Sequence, residues 1–78
     1  MVEPASIERS IRSGLEVLHV EVQGDGAHFE AVIVSPAFSG LSRVRQHQLV
    51  YAALGDRMRE EIHALSMKTY SPEEWAAR

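Results

Sequence analysis

Two strand-like stretches separated by one long helical stretch decide which sheets this chain can build. His28–Ser35 reads HFEAVIVS, rich in β-branched residues that suit a pleated, half-buried surface. Ile62–Tyr70 reads as a second such strand, and between them Ser42–Leu54 has the period of a helix. Strands joined through a helix run parallel when adjacent, with a right-handed crossover. A purely antiparallel meander is therefore excluded.

The rest of the chain adds to that unit. Pro4–Gly14 has proline in a first turn, Ile7 and Ile11 one helical turn apart, and a glycine where a helix stops. From Leu15 to Val22 the period becomes two, with Leu18, Val20 and Val22 on one face against His19, Glu21 and Gln23. Gln23-Gly24-Asp25-Gly26-Ala27 is turn chemistry, so this strand and the one at His28 should pair as a hairpin. Pro36–Gly40 connects to the long helix, where Ser42 is a candidate N-cap. Val44, Gln48, Tyr51 and Leu54 mark one side of that helix, and Val50 and Ala53 widen its apolar face. Gly55 breaks it, and Asp56 is placed to cap a short helix running through Glu61. Ser71-Pro72-Glu73-Glu74 is a helix start, with Trp75 anchoring the last turn. The expectation is one α+β domain over residues 1–78, in the order αββααβ. A three-stranded mixed sheet would carry the helices packed on one face, which is the topology of a type II KH domain.

Composition narrows the function. The 78 residues include no cysteine, which excludes disulfides and thiolate zinc sites. No segment resembles a signal peptide or a membrane span, so a soluble cytoplasmic protein is the default expectation. The net charge of −3, from 8 Lys and Arg against 11 Asp and Glu, means that nucleic-acid binding would need its few cations clustered. No nucleophile elbow, phosphate-binding loop or enclosed carboxylate pair is present, and a non-enzymatic role is expected.

Histidines are the remaining candidate ligands. His63 opens the third strand; by residue type alone, a structural histidine bonded to a carbonyl at that junction is the commoner case. If the second and third strands are parallel neighbours, their starts share one end of the sheet, which brings His28 toward His63 and sets Asp25 nearby. A solvent-facing His28 is the equal alternative, and Asp25 is a weaker candidate ligand. Two nitrogen donors do not complete a tetrahedral metal site. His19 and His47 read as solvated or packing residues. A second candidate surface is cationic: Arg43, Arg45 and His47 on the long helix, joined by Lys68. The nearest approach to a KH-type GxxG loop, Gly40-Leu41-Ser42-Arg43, has one glycine and precedes the helix.

Several of these segments together resemble the BolA family. His28-Phe29, Val32-Ile33-Val34-Ser35, Phe38 and Gly40 match its "HF…V.VS..F.G" stretch. Gln46-His47-Gln48-Leu49-Val50-Tyr51 sits where the family usually has "RHRLVY". Ile62 to Trp75 resembles its terminal "HALS.KTYTPEEW". The resemblance covers roughly residues 28 to 75 in correct order and spacing. Two departures stand out. Gln46 and Gln48 replace arginines, which removes two positive charges from the helix that a DNA contact would use and brings the chain closer to the IbaG-type branch. The loop between the first two strands is very short, leaving Asp25 and His28 near it.

The resemblance implies a KH-like fold and partnership with a monothiol glutaredoxin in a heterodimer holding a [2Fe-2S] cluster. The cluster would be shared with the glutaredoxin cysteine and glutathione, with His63 on the position of the family's ligand and His28 as the second candidate. A cluster takes about four ligands, mainly thiolates. A chain without cysteine can therefore hold one only jointly, and imidazole ligation would raise its potential and make binding pH-dependent. Stress-responsive transcription and cell-shape control are the family's other association, with weak DNA binding through Arg43, Arg45, His47 and Lys68. The free chain is expected to be a monomer or weak homodimer.

Overall fold

The computed structural model describes residues 2–78; Met1, the first residue of the expected domain, lies outside them. The elements run α1 (Pro4–Gly14), β1 (His19–Gly24), β2 (His28–Val34), a 3-10 turn (Pro36–Phe38), α2 (Arg43–Leu54), α3 (Arg57–Glu60), β3 (Ala64–Tyr70) and α4 (Pro72–Ala77). The sheet order is β1-β2-β3, with β1 antiparallel and β3 parallel to β2, as the helical crossover requires.

Register separates the two faces. Val20, Val22, Phe29, Ala31, Ile33 and Thr69 are buried and join Ile7 and Ile11 of α1 and Val50 and Leu54 of α2. Each fully buried large apolar side chain contributes about 1.5–3 kcal/mol. The alternate residues Glu21, Glu30, Lys68 and Ser66 form an exposed face. At one end of that face α4 folds back: Trp75 stacks on His19, with ring centroids 5.2 Å apart, and tilts against Tyr70 at 5.2 Å. Val34 beneath is fully buried. Ser71 and Glu74 form a reciprocal capping box that starts this helix.

Several details differ from the periodicity. The first strand begins at His19, and Leu18 is 61% exposed. Asp56 makes no side-chain cap to α3. β3 begins at Ala64, so His63 precedes the strand. The largest difference is the inner face of α2. Val44 and Tyr51 are exposed, and the buried residues are Gln46, Val50 and Leu54. Gln46 hides the stripe because it is polar but fully bonded. Its Nε2 donates to the carbonyls of Phe38 (3.2 Å) and Leu41 (3.1 Å). Its Oε1 accepts from Thr69 Oγ1 (2.7 Å) and from Arg43 (2.8 Å). A buried amide satisfied at all four positions belongs in a core. Gln46 is thus an interior residue, and the charge missing there does not come off the solvent face.

Candidate functional site

The parallel pairing puts one end of the sheet beside the β1–β2 turn. His28 pairs with Ala64, so His28, which opens β2, and His63, which immediately precedes β3, lie at that end, as the crossover predicts. The turn is held by Asp25, whose Oδ1 accepts from the main-chain N–H groups of Ala27 and His28, both at 2.9 Å. Those two bonds, His28 first, hold its carboxyl below the usual carboxylate value. Gly26 takes φ 102°, a conformation L side chains rarely adopt.

His63 is exposed and lines a cleft of about 560 Å³ with Gly26, Glu3 and Ser6 at the start of α1, and Arg57 and Glu61 around α3. Its exposure does not fit the reading of a partly buried imidazole bonded at the junction. The cleft is braced by Arg57, which donates to the Ser6 carbonyl (3.0 Å), Ser10 Oγ (2.7 Å) and Glu61 (3.1 Å). Sequence reasoning missed Arg57, Glu3 and Ser6. The i,i+4 spacing of Arg57 and Glu61 signals their own pair but not the contact with α1. His28 does not line this cleft; it is exposed at the start of β2, on the face with Glu30. Among the described residues, no group of three or more His, Asp or Glu is placed to hold a metal ion. His63 fits the part of one exposed nitrogen donor in a site completed by another molecule.

The cationic candidates lie elsewhere. Arg43, His47 and Lys68 line a second cleft, of about 250 Å³, between α2 and β3, while Arg45 is exposed outside its lining. Arg43 is largely engaged: it bonds the Thr69 carbonyl and Gln46, and pairs with Glu74 at 3.4 Å. Its charge is partly neutralised before any phosphate arrives. His19 packs on Trp75 and bonds Glu21 at 2.9 Å. Among the described residues, no helix is long and apolar enough to cross a membrane.

The sequence model of "BolA-like protein" matches residues 2–74. The chain is 40% identical over 76 residues to "Acid stress protein IbaG" of Escherichia coli K12, covering 96% of this chain and 90% of that protein. It is 39% identical over 61 residues to "DNA-binding transcriptional regulator BolA" of Haemophilus influenzae, covering 78% and 59%. Among solved structures, a bolA protein homologue from Coxiella burnetii superposes with a TM-score of 0.86 at 46% identity, covering 97% of this chain and 99% of that one.

Proposed function

This chain belongs to the BolA-like protein family, and from that premise we propose that it is a partner protein for a monothiol glutaredoxin, lending His63 to a jointly held [2Fe-2S] cluster that is passed on as cargo. The observation that carries the reading is His63 itself, an exposed imidazole beside an open cleft. A cluster needs about four ligands, mainly sulfur. This chain has no cysteine, so the glutaredoxin and glutathione supply the thiolates. The role of its own residues is to present and orient. The short loop before β3 holds His63 in the open, and Arg57 braces α3 against α1 behind it. Asp25 rigidifies the facing turn by accepting from the N–H groups of Ala27 and His28. His28 is the second donor of this reading, with Asp25 the alternative. Two of Asp25's lone-pair positions are occupied, and His28 lies outside the cleft, so both rank below His63.

Anaerobic reconstitution with a monothiol glutaredoxin, glutathione, iron and sulfide tests the reading. The expected product is a coloured heterodimer that neither protein forms alone with the same spectrum. A glutaredoxin spectrum unchanged by this chain, with no joint species on gel filtration, would refute it.

Relatives named as DNA-binding regulators favour a second reading, a nucleic-acid surface made by Arg43, Arg45, His47 and Lys68. It predicts binding that falls steeply with salt. A mobility-shift assay at low salt showing no complex would remove it. The pairing of Arg43 with Glu74 makes it the weaker of the two.

A further inference from the structure

The sheet ends on β3, and among the described residues no strand lies on its outer edge. The Ser35 N–H donates to the Tyr70 carbonyl, so Tyr70, Lys68 and Ser66 turn their peptide groups toward β2. Leu65, Met67 and Thr69, out of phase by one residue, turn theirs outward. Arg43 agrees with that parity, since it reaches the Thr69 carbonyl from α2. Side chains along this edge alternate between two faces. Leu65, Met67 and Thr69 lie on the helix side, where the cleft of about 250 Å³ separates Arg43 and His47 from Met67 and Thr69. Beyond it, on the side of α2 turned away from Ala53 and α1, Val44 and Tyr51 are exposed. Ser66 and Lys68 lie on the open face, in the cross-strand rows Gln23–Glu30–Ser66 and Glu21–Val32–Lys68. Neither Lys68 nor Glu30 forms an ion pair among the described residues.

We propose that β3 pairs antiparallel with β3 of a second copy, about a two-fold axis at Met67, to make one six-stranded sheet. In that register Met67 faces Met67 and Leu65 faces Thr69, so their outward peptide groups bond across the junction. The Thr69 carbonyl keeps Arg43 on one lone pair and takes the Leu65 N–H of the second copy on the other. On the helix side, Leu65 and Met67 of each copy meet the other's cleft, with Val44 and Tyr51 at the rim. On the open face, Lys68 stands opposite Ser66 of the second copy, not opposite its own counterpart. The row continues to Glu30 of that copy, two strand spacings or about 10 Å from Lys68, across a small serine. The two-fold axis makes this pairing twice, so the unpaired lysine and glutamate of one chain complement those of the other. That self-complementarity singles out a second copy as the occupant.

Sedimentation equilibrium of the full chain over a concentration series should show a reversible monomer–dimer equilibrium. The amide signals of Leu65, Met67 and Thr69 should shift as the dimer forms. Lys68→Glu and Glu30→Lys each set like charges across the junction, and each should weaken the dimer about tenfold. Mixing the two variants pairs opposite charges again and should restore a mixed dimer of comparable strength, a rescue that misfolding cannot imitate. Because the chain has no cysteine, Met67→Cys should oxidise to one disulfide-linked dimer, its facing Cα atoms lying about 5.5 Å apart. Ser66→Cys, which does not face itself in this register, should crosslink more slowly. The proposal is overturned by a chain that stays monomeric at millimolar concentration, or by a mixture no more associated than either variant alone. Faster crosslinking through Ser66→Cys than through Met67→Cys, or a dimer that shifts α2 amides and leaves β3 unmoved, also overturns it.

Discussion

Gln46 occupies a position on α2 where the core would accept an apolar side chain, and its amide instead joins the 3-10 turn, α2 and β3. Gln46→Leu keeps the volume but strands the Thr69 hydroxyl and two carbonyls. It should cost about 1–3 kcal/mol, read as a lower urea midpoint; an unchanged midpoint would mean that water satisfies those groups. The same residue explains why the inner face of α2 was illegible in the sequence. Hydrophobic periodicity counts polarity and cannot see that a buried amide is satisfied, so Val44 and Tyr51 took the place of Gln46. Asp25 is a second residue with a checkable consequence. Its folded pKa lies below the ordinary 3.8, so the ionised form stabilises the turn. That contribution is complete above the unfolded value and lost as pH falls through the lower folded one. Carboxyl NMR should place the Asp25 midpoint below 3.8, with the Ala27 and His28 amide shifts following it. Asp25→Asn should abolish that titration, and a midpoint at the ordinary value would contradict the account.

At the scale of elements, Gly14 is the last residue of α1, as its stop signal predicts, and it serves a second purpose. Its φ is not positive, and a Cβ built there would lie 2.8 Å from Ala53 Cα on α2. The glycine lets two helices approach closely. Gly14→Ala gains helix propensity but forces the backbones apart, for a net loss of about 1–2 kcal/mol in thermal or urea unfolding. A stabilised variant would show that α1 is free to shift. The serine caps were legible because they are local: Ser42 accepts from Arg45 N–H and Ser71 from Glu74 N–H, whereas Asp56 makes no cap bond. Ser71→Ala should therefore release α4 by about 1 kcal/mol, seen as increased exposure of Trp75 in fluorescence. An unaltered emission would mean that the His19–Trp75 stack alone holds the helix. Strand ends were less legible, since Leu18 fits the alternation but precedes the first pair of the ladder.

At the scale of the whole molecule, the parallel crossover was readable because two strands with a helix between them admit few arrangements. It placed the starts of β2 and β3 together, and the register of His28 with Ala64 agrees. The cleft around His63 was not readable, because it depends on Arg57 meeting Ser6 and Ser10, a contact between distant parts of the chain with no periodic trace. The family relationship supplies the remaining context: a small domain, without cysteine, whose exposed histidine suits a site finished by a partner. The most direct measurement is the visible circular dichroism of the complex reconstituted with a monothiol glutaredoxin and glutathione, comparing the unaltered chain with His63→Ala. His63→Ala, with its far-ultraviolet spectrum unchanged, should lose or shift the visible bands of the joint cluster. Identical bands from the two proteins would contradict the assignment of His63 as a ligand.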